Sequence, residues 1–201
     1  MKNLPNRITI SRIFLIFIFV LLANVDNEKI NFVNISAELS YGCHVAAFVV
    51  AVLAGLTDLL DGYLARTFGW ESDFGRLMDP LADKIFMTAM FVMLCEYRLM
   101  PGWMVIAILS REFLVTGLRL IATNKGEVIS ADKWGKFKTF FQMMVILIGG
   151  MSWIHLFGLD LTANKTVWTL WYCLLILMTL ITVWSGLSYF IRHRKLYLES
   201  T

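Results

Sequence analysis

Six apolar runs, each close to the length of a membrane-crossing helix, dominate this sequence. A hydrocarbon core of about 30 Å requires roughly 20 consecutive apolar residues per helix. The runs lie near residues 8–24, 42–66, 79–99, 102–122, 137–158 and 167–191. The chain is 58% hydrophobic and only 16% charged, which is atypical of a soluble domain. We therefore predict an all-α integral membrane protein with six transmembrane helices, formed by residues 1–201 as a single domain.

The distribution of Lys and Arg predicts the orientation of these helices. If the amino terminus is cytoplasmic, the outer connectors are the segments 25–41, 97–101 and 159–166. These connectors contain only three of the 18 Lys and Arg residues, namely Lys29, Arg98 and Lys165. Because basic residues favour the cytoplasmic side, we predict that both termini face the cytoplasm. The connector between the second and third runs then lies on that side of the cell membrane as well.

That connector belongs to an acidic stretch, Asp58 to Asp83, which holds six of the fifteen acidic residues. Asp58 and Asp61 are three positions apart, and Asp79 and Asp83 are four apart. Each pair therefore occupies one face of its helix. A short connector makes the two helices an antiparallel hairpin, so we expect the two pairs to meet near the cytoplasmic interface.

Four carboxylates this close together would repel one another or take up protons unless cations balanced them. Two Mg²⁺ or Mn²⁺ ions match both the charge and the preference for hard oxygen ligands. Paired metals of this kind stabilise in-line displacement at phosphorus. The spacing predicts a metal site formed by Asp58, Asp61, Asp79 and Asp83, although a single aspartate could equally be an ordinary helix-end carboxylate.

Small and cationic residues accompany the aspartates. Gly62, Ala65 and Gly75 leave room for a ligand against the helices, although small residues also serve in helix packing. Arg66 and Arg76 place positive charge near any bound phosphate, where ordinary positive-inside residues would also be found.

The pattern Asp58-x2-Asp61-Gly62-x2-Ala65-Arg66-x8-Gly75-x3-Asp79-x3-Asp83 resembles the signature of the CDP-alcohol phosphotransferase family. The resemblance implies a six-helix, usually homodimeric membrane enzyme that moves a phosphatidyl or similar group from a CDP-linked lipid to an alcohol and releases CMP. It also implies that Asp83 takes the proton of the acceptor hydroxyl. Further donor contacts implied by the family pattern are Asn6, Thr9 and Ser72, with helix capping as the alternative.

Three other segments resemble the branch of this family that forms phosphatidylglycerol phosphate. They are "NLPNRITISR" (Asn3 to Arg12), "SREFLVTGLRLIA" (Ser110 to Ala122) and "WGKFKTFFQM" (Trp134 to Met143). The implied donor is CDP-diacylglycerol, and the implied acceptor is sn-glycerol 3-phosphate. Membrane lipids and a second copy of the chain are the implied partners, and no nucleic acid is expected.

The residues themselves support an anionic acceptor. Arg111 falls inside the fourth apolar run, where a charge is costly and indicates a functional site, with a structural ion pair to another helix as the alternative. Arg119 lies two turns further along nearly the same face. Lys136 and Lys138 open the fifth run, where interface lysines are an equal alternative. Arg111, Arg119 and Lys136 could together bind the phosphate of glycerol 3-phosphate.

Two other functions stay open from the sequence. A cardiolipin synthase of the same fold would use the same donor with phosphatidylglycerol as acceptor. A cation transporter would use intramembrane carboxylates, but the acidic residues here cluster at one interface and no inverted repeat is visible.

Overall fold

The six helices predicted from the apolar runs are all present in the computed structural model. The structure describes residues 4–25, 36–68, 73–125 and 133–194, with side chains except those of 4–8, 58–68, 73–77, 124, 133, 134 and 136. The helices are α1 Leu4–Ala23, α2 Ala37–Phe68, α3 Asp73–Glu96, α4 Gly102–Asn124, α5 Lys133–Trp153 and α6 Lys165–Arg192. A 3-10 turn, Leu156–Gly158, follows α5, and no strand occurs in the described ranges.

Several helices extend a few residues beyond the apolar runs that predicted them. The largest difference is at α3, which begins at Asp73 although the apolar run begins near residue 79. Polar first and last turns satisfy helical hydrogen bonds as well as apolar ones do, so hydropathy understates helix length. As a consequence, Asp58, Asp61, Asp79 and Asp83 all lie within helices.

The chain divides into two compact units, Met1–Met93 and Leu94–Thr201. In the first unit, α1 packs along α2. α2 buries three alanines, Ala47, Ala51 and Ala54, at helical spacings of four and three. Small side chains on one stripe allow two helices in a membrane to approach closely, which is how such helices associate without a hydrophobic driving force.

In the second unit, α6 packs against both α4 and α5. The buried residues Trp171, Leu175 and Met178 line its first half. The indole Nε1 of Trp171 donates a hydrogen bond of 2.6 Å to the backbone oxygen of Leu99, in the turn before α4. This bond satisfies a buried polar group and fixes one end of α6 relative to α4.

The second half of α6 is polar on its buried face and apolar on its exposed face. Its buried polar residues are Thr179, Thr182 and Ser185, and its exposed apolar residues include Leu180, Trp184, Leu187 and Ile191. A soluble protein would place these two sets the other way round. Large exposed apolar faces surrounding buried polar groups are typical of a protein whose outer surface contacts lipid.

Two helical segments are long and apolar enough to cross a membrane by length and composition alone, Ala37–Thr57 and Lys165–Arg192. Thr9–Ala23 and Phe137–Trp153 are apolar but shorter within the described residues. Charged residues interrupt the apolar character of α3 and α4. The helix count thus agrees with the sequence, and six crossings of the membrane stay a prediction.

Candidate functional site

The acidic stretch occupies the facing ends of α2 and α3. Asp58 and Asp61 lie in the last third of α2, and Asp79 and Asp83 lie in the first half of α3. Both pairs are therefore on continuous α-helix, as their spacing requires. The side chains of Asp58, Asp61, Gly62, Ala65, Arg66, Ser72, Gly75 and Arg76 lie outside the described residues, so their proposed roles stay predictions.

A contact between Gly55 and Phe86 sets the relative level of α2 and α3. A Cβ atom added at Gly55 would lie 3.7 Å from Cζ of Phe86. Both residues stand 13 positions from the connector-side ends of their helices, Phe68 and Asp73. Two helices that touch at equal distances from a short connector run antiparallel. Asp58 and Asp83 are each three positions nearer to the connector, so their backbones stand at the same level.

Thr9 of α1 contacts the second acidic pair. Its Oγ1 donates a hydrogen bond of 2.6 Å to Oδ1 of Asp79, and its side chain is almost completely buried. Asp79 is half-buried, whereas Asp83, four residues later, is exposed. The sequence predicts Thr9 as a contact of the lipid nucleotide, which stays a prediction, and in the structure its hydroxyl donates to the carboxylate of Asp79. The side chain of Asn6, the other predicted contact in α1, lies outside the described residues.

Arg12 is a buried cation that the sequence reasoning did not select. It is 1% exposed, and it has the largest volume among the fully buried side chains of the described residues. It lies three residues after Thr9 and therefore on the same face of α1. Arg12 thus lies one helical turn from the residue whose hydroxyl contacts Asp79.

The hard oxygen ligands expected for Mg²⁺ or Mn²⁺ are present in both helices. Among the described side chains, no group of three or more Asp, Glu, His or Cys residues could hold a metal ion. The side chains of Asp58 and Asp61 are not part of that described set. Asp79 and Asp83 alone supply two carboxylates on one face of α3. The donor set fits a hard divalent cation, and the ligand assignment stays a prediction.

A second cluster of charges joins α4 to α5 in the other unit. The Nη1 atom of Arg111 lies 3.3 Å from Oε1 and 3.4 Å from Oε2 of the neighbouring Glu112. The Nζ atom of Lys138, in α5, donates to the same Glu112. The side chains of Arg111, Glu112 and Lys138 are 11%, 19% and 10% exposed. Glu112 and Lys138 thus form the interhelical ion pair that was the alternative for this region, and Arg111 joins it.

Arg111 and Arg119 both contact α6. Nη2 of Arg111 donates a 2.9 Å hydrogen bond to Oγ of Ser185. Nε of Arg119 lies 3.4 Å from the hydroxyl oxygen of Tyr189, and its guanidinium carbon lies 5.7 Å from the centre of the tyrosine ring. The two arginines therefore face successive turns of one helix. The side chain of Lys136, the third residue predicted for this site, lies outside the described residues.

The cluster contains more cations than anions, and the side chains of Arg111 and Lys138 are mostly buried, whereas Arg119 is exposed. Arg111, Arg119 and Lys138 are three cations, and the carboxylate of Glu112 contacts Arg111 and Lys138. Nε of Arg111 is buried and has no hydrogen-bond partner among the described residues. A buried donor without a partner is costly, and a phosphate oxygen would satisfy it. The cluster can bind a small anion that carries two negative charges.

Sequence reasoning missed Ser185, Gly186 and Tyr189, and it left Lys138 out of the predicted site although Lys138 opens the fifth run together with Lys136. Lys138 thus had a visible signal in the sequence. Ser185, Gly186 and Tyr189 had only a weak one, since a serine, a glycine and a tyrosine near the end of an apolar helix are also typical of ordinary membrane helices.

Comparison with known proteins confirms the resemblance. The sequence profile described as CDP-alcohol phosphatidyltransferase matches residues 2–184. A protein of Bacillus subtilis (strain 168) is 42% identical over 148 residues, which are 73% of this chain and 75% of that protein. A protein of Rickettsia typhi is 33% identical over 94% of this chain and 96% of its own length. A protein of Mycoplasma pneumoniae is also 33% identical, over 98% of this chain and 88% of its own length. All three are named CDP-diacylglycerol–glycerol-3-phosphate 3-phosphatidyltransferase.

The match covers both groups of residues described above. The acidic stretch and the Arg111 cluster as far as Lys138 fall within the residues matched by the profile. Enzymes of this kind generally use divalent metal ions, in agreement with the carboxylate chemistry of α2 and α3. The chain therefore belongs to the CDP-alcohol phosphatidyltransferase family.

Proposed function

We propose that this enzyme transfers the phosphatidyl group of CDP-diacylglycerol to sn-glycerol 3-phosphate and releases phosphatidylglycerol phosphate and CMP. The observation that carries the choice of acceptor is the cationic cluster around Arg111, in which the side chains of Arg111 and Lys138 are mostly buried and Arg119 is exposed. An acceptor that brings its own phosphate requires such a cluster, whereas a neutral or zwitterionic alcohol does not. The names of the three relatives support the same donor and acceptor.

In this proposal the carboxylates of the first unit handle the donor. Asp58, Asp61, Asp79 and Asp83 would hold two divalent cations, either Mg²⁺ or Mn²⁺. When bound, such ions stabilise negative charge on the attacking and leaving oxygens at phosphorus. Thr9 would orient Asp79 through its 2.6 Å hydrogen bond to that carboxylate.

The acceptor hydroxyl attacks the phosphorus atom that bears diacylglycerol. A new bond forms between the hydroxyl oxygen and phosphorus, and the bond between that phosphorus and the CMP oxygen breaks. CMP leaves with the bonding electrons, and Asp83 accepts the hydroxyl proton. Asp83 is exposed within its unit, so a substrate hydroxyl can approach it.

The remaining residues of the acidic stretch bind the lipid nucleotide. Gly62, Ala65 and Gly75 leave space for it against the helices, and Arg66 and Arg76 balance the charge of its diphosphate. Asn6, Thr9 and Ser72 complete the donor contacts. In the second unit, Arg111, Arg119 and Lys136 bind the acceptor phosphate.

The exposed apolar faces of the helices support a position within the cell membrane. We propose six crossings with both termini in the cytoplasm and the acidic stretch at the cytoplasmic side. This arrangement gives the water-soluble acceptor direct access while the diacylglycerol chains stay in the bilayer. A homodimer is the proposed assembly.

Product identification tests the proposal directly. The purified protein in detergent micelles receives CDP-diacylglycerol, a divalent cation and one alcohol from a panel: glycerol 3-phosphate, phosphatidylglycerol, inositol or serine. We expect CMP release and a phosphatidylglycerol phosphate mass only with glycerol 3-phosphate. Turnover with phosphatidylglycerol alone would instead identify a cardiolipin synthase. Absence of CMP release with every alcohol would overturn the enzymatic proposal and favour the transporter.

A further inference from the structure

We propose that α6 positions the acceptor-binding arginines, with Ser185 and Gly186 as positioning residues for Arg111. This inference rests on the proposed function, because it assigns the work of Arg111 to the acceptor phosphate. The positioning residues lie in α6, whereas the cations that would bind the acceptor lie in α4 and α5. Neither residue is proposed to touch the substrate; both act through the guanidinium that they hold in place.

The first observation is the close approach of α6 to the stem of Arg111. A Cβ atom added at Gly186 would lie 2.6 Å from Cγ, 3.4 Å from Nε and 3.6 Å from Cδ of Arg111. Contacts below 3.0 Å are essentially never found for a real Cβ. The conflict is with the root of the side chain, which cannot swing aside as a flexible tip can. Only glycine at position 186 therefore lets Arg111 lie in its observed conformation against α6.

The second observation is that the guanidinium of Arg111 contacts residues of two helices. Nη2 donates to Ser185 of α6, and Nη1 contacts Glu112 of α4. Together with the covalent attachment of the group through Nε, these two contacts fix the plane of the guanidinium. Ser185 is 4% exposed, so its hydroxyl faces no competition from water. The plane of Arg111 is thus set before any ligand binds, and so is the direction of its unpaired Nε.

The third observation is that the same face of α6 continues this arrangement in both directions. Tyr189, one turn beyond Ser185, is 4% exposed and contacts Arg119. Thr182, one turn before it, accepts a 3.4 Å hydrogen bond from Nε2 of Gln142 in α5. Thr182, Ser185 and Tyr189 form one buried polar stripe on an otherwise apolar helix. A polar stripe inside a membrane helix is retained for a specific purpose, because burying it is costly.

The role of the stripe follows from its contacts, which join Ser185 to Arg111 and Tyr189 to Arg119. Preorganisation of this kind matters for catalysis, since a displaced binding group reduces turnover even when its charge is retained.

Matched pairs of variants test the inference in the full-length enzyme. Ser185→Ala removes the hydroxyl that holds Nη2, and Ser152→Ala is its control. Ser152 is also a buried serine of the second unit, and its Oγ accepts a 2.9 Å hydrogen bond from the backbone nitrogen of Leu161. The control for Gly186→Ala is Gly149→Ala. A Cβ at Gly149 would also meet a side-chain atom at 2.6 Å, but that atom is the tip of Leu94 and not part of Arg111.

We expect Ser185→Ala to raise the KM for glycerol 3-phosphate by about threefold to tenfold, as the loss of one hydrogen bond permits. Gly186→Ala should have a larger effect, on the order of tenfold to a hundredfold, because it moves the whole guanidinium. The KM for CDP-diacylglycerol should stay unchanged in both. Ser185→Thr, which keeps the hydroxyl, should restore the acceptor KM. The two control variants should alter neither KM.

An epistasis measurement separates this inference from the proposed function. If Ser185 acts through Arg111, the double variant Arg111→Ala with Ser185→Ala should have the same acceptor KM as Arg111→Ala alone. An Arg111→Ala variant with a normal acceptor KM would overturn the proposed acceptor site itself. A raised acceptor KM in Arg111→Ala together with normal values in Ser185→Ala and Gly186→Ala would overturn only the positioning role. Equal rises in both KM values, or effects that add in the double variant, would also overturn it.

Discussion

Thr9 and Asp79 are joined by a 2.6 Å hydrogen bond although 70 positions separate them in the sequence. The bond links the first helix to the acidic stretch through a buried hydroxyl. A carboxylate that accepts such a bond keeps its other oxygen oriented toward a cation. In the proposed metal site, the first helix would thereby influence a bound cation without contributing a carboxylate.

Thr9→Val is expected to lower the affinity for the divalent cation with little effect on stability. Valine keeps the shape of threonine but lacks the hydroxyl that donates to Asp79. The concentration of Mg²⁺ or Mn²⁺ needed for half-maximal activity should rise by about tenfold, as for a lost outer-sphere partner. Activity measured in a metal titration checks this. Thr9→Ser, which keeps the hydroxyl, should behave like the wild type. An unchanged titration for Thr9→Val would show that the hydrogen bond has no role in metal binding.

Activity is expected to require a divalent cation and to be lost in Asp58→Asn and in Asp79→Asn. Each amide removes one negative charge from the ligand set and leaves helix packing almost unchanged. Turnover is measured after chelation and after metal is added back, with thermal unfolding in detergent as the check on folding. Glu38→Gln, an exposed acidic residue at the far end of α2, is the control and should stay active. Full turnover of either asparagine variant after chelation would refute the metal assignment.

Arg111→Lys is expected to raise the KM for glycerol 3-phosphate by roughly tenfold to a hundredfold, the equivalent of one ionic hydrogen bond of about 1.5 to 3 kcal/mol. An ammonium keeps the charge but cannot hold Ser185, Glu112 and a phosphate oxygen with one planar group. Steady-state kinetics with each substrate varied in turn measures the effect. A raised KM for CDP-diacylglycerol with an unchanged acceptor KM would place Arg111 in the donor site instead.

Glu112→Gln is expected to destabilise the protein by about 3 to 5 kcal/mol, because the buried Lys138 then loses the carboxylate that it contacts. The double variant Glu112→Gln with Lys138→Met should recover part of that loss. Thermal unfolding of the single and double variants in detergent gives the coupling between the two residues. If the two effects simply add, Glu112 and Lys138 do not stabilise one another.

Both termini are expected on the cytoplasmic side of the membrane, because that orientation leaves only three basic residues in the outer connectors. Cysteine-free protein with a single cysteine added at either end is labelled in intact cells and in inverted vesicles with an impermeant reagent. Labelling should occur only in inverted vesicles for both ends. Labelling of the two ends from opposite sides would require an odd number of crossings.

The sequence by itself determined the all-α fold, the six helices and the family. These follow from local regularities: apolar runs of helical length, and aspartates three and four positions apart that must share a face wherever their helix lies. The Asp58 to Asp83 motif is contained in two consecutive helices and their connector. Its chemistry can therefore be read without knowing how other helices pack.

Only the tertiary structure decided which residues act on these groups from distant helices. The bonds from Thr9 to Asp79, from Lys138 to Glu112 and from Arg111 to Ser185 each join residues at least 26 positions apart. In a helix whose whole circumference is apolar, no periodicity indicates which face is buried. The need for glycine at position 186 arises from the approach of one helix to the stem of a single side chain. That distance is a property of packing, and no local pattern in the sequence encodes it.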